Sequence, residues 1–148
     1  MTRVRDILNE KAIKGVFSIS PTATVTEALT MLGEHNVGAL VAMDEGMPVG
    51  IISERDLLRK AIRSGLCELE DKKVADVMTR NVIIGLPEDE VSYVASIMIR
   101  NEVRHLPIIQ NKEIVGLVSI GDVVYSQISD EKFENRMLHD YIEGKYPG

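Results

Sequence analysis

Hydrophobic residues fall on two alternating periods along this chain. Val25, Ala28, Leu29 and Leu32 stand at i, i+3, i+4 and i+7, one face of a helix. Thr24 precedes that face and Glu27 follows three residues on, the spacing of a capping box. The next apolar stretch, "VGALVAM" at 37–43, is short and nearly continuous, as a buried strand is. The turn signal "DEGMP" separates it from a second apolar run, "VGIIS". A second helix follows, led by Asp56-Leu57-Leu58. A short segment ahead of the first helix, "VFSIS" at 16–20, predicts one more strand. The order of elements is β-α-β-β-α.

That order returns 66 residues later, with positions 20–57 falling on 86–123 without a gap. Eight of the 38 pairs are identical, among them Pro21/Pro87, Leu40/Leu106, Gly50/Gly116, Ser53/Ser119 and Asp56/Asp122. The apolar pattern matches as well, and together they indicate an internal duplication. Val91, Val94, Ala95 and Met98 repeat the helix face, and "VRHLPII", "QNKE" and "VGLVS" repeat the strands and turn. "NVIIGL" at 81–86 predicts the extra strand of the second unit. The connection "GLCELEDKKVADVMTR" contains "VADVMT", which echoes "VRDILN" at 4–9, so each unit gains a leading helix. A unit of about 50 residues is too small for a large core alone. The two are expected to pack together with their sheets sharing one interior. The divisions are residues 1–66, 67–126 and a tail of 127–148. In the tail, Phe133, Met137 and Tyr141 fall at i, i+4 and i+8, with Leu138 and Ile142 alongside. They predict an amphipathic helix outside the repeat, packed on its own domain or on a partner chain.

Composition narrows the class. With 148 residues, 45% hydrophobic and 27% charged, the chain has ordinary globular usage. No apolar run approaches the roughly 18–20 residues of a membrane helix. The N-terminus lacks a signal-peptide pattern, so the chain is expected in the cytoplasm. A net charge of −6 argues against a nucleic-acid surface. The basic residues Arg55, Arg59, Lys60 and Arg63 follow helical spacing and read as a solvated face. Cys67 has no second cysteine to pair with. His35, His105 and His139 lack metal-ligand spacing. Ser119, His105 and Asp122 could be drawn as a triad, but the first unit has Ala39 where the second has His105. No phosphate loop or dinucleotide fingerprint is present. No catalytic residue, metal or required cofactor is expected.

The repeated Gly-x-x-Ser-x-x-Asp has two readings. Ser53 and Ser119 can cap helices, with the aspartate three residues on in the first turn. The same junction can also hold a ligand. An ionised Asp accepts two neighbouring hydroxyls, such as those of a ribose, while a helix N-terminus offers N–H groups to a phosphate.

A duplicated β-α-β-β-α unit ending in this motif resembles the cystathionine-beta-synthase (CBS) domain, which occurs in pairs called Bateman modules. The resemblance covers nearly all of the chain, most specifically "VGALVAMDEGMPVGIISERDLLRKAI" and "VRHLPIIQNKEIVGLVSIGDVV". It is similar to small stand-alone two-repeat members, with no catalytic segment left over. The fold implied is α/β (α+β), two tandem β-α-β-β-α repeats packed as a pseudo-two-fold pair. The resemblance implies an adenosine-type ligand (AMP, ADP, ATP, NAD(H) or S-adenosylmethionine) in clefts between the repeats, and association into a homodimer. It carries ribose binding to Asp56 and Asp122, and the preceding hydroxyl to Ser53 and Ser119. Adenine walls are implied at Phe17, Ser18 and Ser20 with Val37, Gly38 and Ala39, and at Val82 and Ile83 with Val103, Arg104 and His105. One site is expected to join Asp122 to residues 17–20 and 37–39, the other Asp56 to residues 82–85 and 103–105. Arg55 and Arg104 are the candidates for phosphate contacts, since guanidinium grips phosphate through paired donors. Arg55 precedes Asp56 where Gly121 precedes Asp122, so the two sites are expected to be unequal. The function expected is a non-enzymatic nucleotide sensor that acts on an unknown regulated protein. The alternative is a ligand-free dimerisation or scaffold module.

Overall fold

The alternating periods resolve into the elements they predict. A computed structural model of the chain describes residues 2–11, 16–80 and 82–128. The predicted tail helix at Phe133–Ile142 lies outside the described residues.

In the first unit, β1 (Ser18–Ile19) pairs parallel with β2 (Ala39–Asp44), which pairs antiparallel with β3 (Met47–Ser53). Helix α2 (Val25–His35) lies between β1 and β2, and α3 (Glu54–Ser64) follows β3. The capping box at α2 forms as spaced: Thr24 Oγ1 accepts the Glu27 N–H at 3.1 Å, and Glu27 Oε2 accepts the Thr24 N–H at 3.3 Å. In the second unit, α6 (Val91–Arg100), β4 (His105–Gln110), β5 (Glu113–Ser119) and α7 (Ile120–Ile128) repeat the arrangement. Even the irregularities repeat, with β-bulges at Ala42/Met43 and Ile108/Ile109. The hairpin turns carry positive φ at both central residues, Glu45-Gly46 and Asn111-Lys112. That is the two-residue turn whose twist matches the flanking strands.

Two expectations change. The described residues 82–86 of "NVIIGL" form no strand beside β4 and contribute a single parallel bridge, Gly85 to Ile108. The connection, expected to supply only the leading helix of the second unit, also holds a short helix, α4 (Leu66–Glu70), whose Leu69 is buried.

The largest departure concerns the leading helices. They do not serve their own units. Helix α1 (Val4–Glu10) inserts Val4 and Ile7 into the core of the second unit, beside Val91, Met98, Leu106 and Val118. Helix α5 (Val74–Val77), just ahead of the second unit, inserts Val74 and Val77 into the first core, beside Val25, Leu32, Leu40 and Ile52. The backbone bonds that seat them are reciprocal. Val4 and Arg5 donate to the carbonyls of Asp89 and Pro87, both at 2.9 Å; Val74 and Ala75 donate to those of Ala23 and Pro21, at 2.8 and 2.9 Å. Among the described residues, most buried side chains therefore fall into two clusters, not the single shared interior expected from small units. Each sheet is covered by a helix delivered from the chain ahead of the other repeat, and the exchange makes the pair pseudo-two-fold.

This exchange explains the first residue of the repeated motif. A Cβ on Gly50 would stand 2.4 Å from Met78 Sδ, and one on Gly116 would stand 2.4 Å from Leu8 Cδ2. In both units the motif glycine leaves room for a side chain from the exchanged segment.

Candidate functional site

Both motifs lie at strand-to-helix junctions. β3 ends on Ser53 and β5 on Ser119, and each serine hydroxyl accepts the N–H three residues on, Asp56 at 3.2 Å and Asp122 at 3.1 Å. The serines are thus capping residues. The first N–H of each helix reaches across to the residue before the neighbouring strand. Glu54 donates to the Gly38 carbonyl at 3.0 Å and Ile120 to the Arg104 carbonyl at 2.9 Å. Residues 38 and 104 are thereby tied to the junctions.

The two aspartates then diverge. Asp122 Oδ2 accepts the Ser119 N–H at 2.9 Å and the Lys11 ammonium at 2.9 Å. Lys11, at the end of α1, also donates to the Leu117 carbonyl at 2.7 Å. Partial burial opposes ionisation of Asp122, but the Ser119 amide, Lys11 and the Ser119 side chain outweigh it and lower its pKa. Asp56 has a looser environment. Its carboxylate accepts the Thr79 hydroxyl at 3.4 Å.

Asp56 lines a cleft of about 140 Å³ at the seam between the repeats. The first unit contributes Ile51, Ser53, Arg55, Asp56 and Arg59. Thr79 enters from the connection, and Glu102, Val103, Arg104 and His105 from the second unit. Among the described residues, no carboxylate lies within ion-pair distance of Arg55, Arg59 or Arg104. His105 opens β4 opposite Ser119. Burial, then the Arg104 charge, lowers its pKa, against opposing pulls from Asp56 and Asp122. Its imidazole therefore favours the neutral form.

A larger apolar groove of about 720 Å³ shares Ser53, Arg55, Arg104 and His105 with this cleft. Gly38, Ser119 and Gly121 line it too, with Leu29, Leu58 and Leu66 as apolar wall.

The remaining candidates line neither space. Phe17 stacks on His35 with ring centroids 3.9 Å apart, and its carbonyl accepts the Val41 N–H. Ser18 is exposed in β1, and the Ser20 hydroxyl lies 2.8 Å from that of Thr22. Val37 packs on the first core and Ile83 on the second, while Ala39 is buried. Val82 is half-buried, with its N–H on the Arg80 carbonyl. Sequence reasoning left out Arg59, Thr79, Glu102 and Lys11. The echo of "VRDILN" in "VADVMT" could have pointed to Thr79 and Lys11, had the exchange of leading segments been recognised.

Two repeated units of helices and a β-hairpin, exchanged leading helices and a charged cleft at their seam define a paired-repeat module. The chain belongs to the CBS-domain family, whose model matches residues 4–63 and 74–128. CBS domain pairs are regulatory modules. The chain is 41% identical over 128 residues to the mitochondrial CBS domain-containing protein CBSX3 of Arabidopsis thaliana, covering 83% of this chain and 62% of that one. It thus spans under two thirds of that relative's length. The CBS domain-containing protein YhcV of Bacillus subtilis is 28% identical, with coverage of 88% and 89%. Among solved structures, a CBS-domain containing protein from Agrobacterium tumefaciens superposes with a TM-score of 0.76 at 34% identity, covering 86% of this chain and all of that one. The CBS domain pair of protein MJ0100, in complex with 5′-methylthioadenosine and S-adenosyl-L-methionine, gives 0.72 at 29% identity, covering 86% and 96%. Among the described residues, no helix is long and apolar enough to cross a membrane.

Proposed function

We propose that this chain is a regulatory sensor that binds an adenosine-containing small molecule at the Asp56 cleft and passes its occupancy to a partner protein. The carrying observation is the convergence of three guanidinium groups and two carboxylates, Asp56 and Glu102, from both repeats on one cleft, a balance that leaves it cationic. Asp56 offers two acceptor oxygens to a ribose diol. Arg55, Arg59 and Arg104 are not held in ion pairs among the described residues, and suit phosphate oxygens. That charge balance favours AMP, ADP, ATP or NAD(H); the ligands of the MJ0100 pair make S-adenosylmethionine a further candidate.

Size supplies the coupling. A cleft of about 140 Å³ is below the roughly 300 Å³ floor of small-molecule pockets. A whole nucleotide extends from this cleft toward the adjoining groove, between walls that belong to different repeats. Binding then favours a different packing of the pair, as a ligand with unequal affinity for two states does. Leu58 and Ile62 on α3, 63% and 76% exposed, and Tyr125 on α7, 68% exposed, support burial of this helical face in a homodimer. The same exposed face favours the second reading, a dimerisation module without ligand.

Calorimetric titration of the wild type and Asp56→Asn with AMP, ADP, ATP, NADH and S-adenosylmethionine tests the assignment. A charge-assisted hydrogen bond contributes roughly 1.5–3 kcal/mol, so Asp56→Asn should weaken the bound ligand about 10- to 150-fold. The cap of α3 belongs to Ser53, so the variant should keep its stability. Unchanged affinity in Asp56→Asn would refute the ribose role.

A further inference from the structure

The two motif aspartates are equivalent in the repeat, yet among the described residues only Asp122 has a cation on its carboxylate. Lys11 Nζ lies 2.9 Å from Asp122 Oδ2 and 2.7 Å from the Leu117 carbonyl. The Ser119 N–H takes the same Oδ2 at 2.9 Å. At Asp56 the corresponding contact is a neutral hydroxyl, Thr79, at 3.4 Å. The leading segments differ in the same sense. Aligning "VRDILNEK" on "VADVMTRN" puts Lys11 opposite Asn81, which carries no charge.

We propose that Lys11 occupies the second ligand position, so that the chain takes one adenosine ligand, at Asp56, and not two. This rests on the reading of Asp56 as a ribose acceptor. An ionised aspartate offers its two oxygens to the two hydroxyls of a ribose diol. At Asp122 one oxygen already holds two donors, one of them a cation. The second anchor, to the Leu117 carbonyl, fixes the ammonium against β5. An entering diol would have to replace an ammonium–carboxylate ion pair with bonds in which only the acceptor is charged, and would leave the Lys11 ammonium without its carboxylate. Lys11 is delivered by α1, the helix exchanged into the second repeat, so the chain upstream of one unit decides whether the other unit's aspartate is open.

The test counts sites. The wild type, Lys11→Met, Lys11→Ala and Lys11→Met/Asp122→Asn are titrated with AMP by calorimetry, after each is shown to melt cooperatively. The proposal expects one AMP per wild-type chain, two per chain in both single variants, and a return to one in the double variant. If neither Lys11 variant gains a site, the proposal is overturned. Loss of a site would also overturn it, by making Lys11 a ligand contact. If the wild type binds no AMP, the Asp56 reading fails for this nucleotide. An Asp122-dependent site gained in Lys11→Met would still support closure by Lys11, and no gained site would overturn it.

Discussion

Replacing Gly116 by Ala tests the exchange of leading helices through a single methyl group. The added Cβ would lie 2.4, 3.1 and 3.3 Å from Cδ2, Cδ1 and Cγ of Leu8, over a hundred residues away in sequence. All three nearest atoms belong to that one side chain. Leu8 is packed against the second core and must shift, and such overpacking costs about 1–3 kcal/mol. For a chain of this size that is a fall in Tm of roughly 2–12 °C. Leu8→Ala removes every clashing atom, at its own cost of roughly 1–2 kcal/mol, since Leu8 is only half-buried. In that background the methyl at residue 116 fills space, and Gly→Ala there gains about 0.4–1 kcal/mol from the unfolded chain. The double variant should therefore be more stable than the sum of the single ones by at least about 1 kcal/mol. Urea unfolding of the four proteins measures this coupling. Additive effects would refute the placement of α1 against β5.

His105 and Asp122 make two pH predictions. The folded pKa of His105 is lowered from 6.5 by burial, so its contribution is complete above 6.5 and is lost as pH falls through the folded value. Urea midpoints between pH 8 and 5 should decline for the wild type and flatten in His105→Gln; equal slopes would contradict the burial argument. Asp122 is lowered from 3.8, so its stabilisation is complete above 3.8 and is lost as pH falls through the folded value. Lys11→Met should reduce that acid-limb loss, and an unchanged limb would contradict the ion pair. Leu40→Ala, at a fully buried position, should cost about 2–5 kcal/mol by urea melt.

The period of the apolar residues determined the helices, the hairpins and the duplication, because a helix or strand must bury one face whatever surrounds it. Thr24 and Glu27 announced their cap for the same local reason. The site was legible only in part. Asp56 and the Val103–His105 stretch were named together from the repeat and the family resemblance, and they line one cleft. Arg59 read as a solvated helix residue and Thr79 as part of a connection, since only the seam between repeats brings them to Asp56. Gly50 and Gly116 looked like part of a ligand motif; the structure shows each making room for a side chain from the exchanged segment. Tertiary structure also separated the two equivalent aspartates. By sequence each is the same residue at the same offset. In the fold, the exchange of α1 sets the Lys11 ammonium on Asp122 and leaves a hydroxyl on Asp56. Local pattern sets which elements form. Which charge meets which carboxylate depends on the crossing of distant segments, and periodicity carries no record of that.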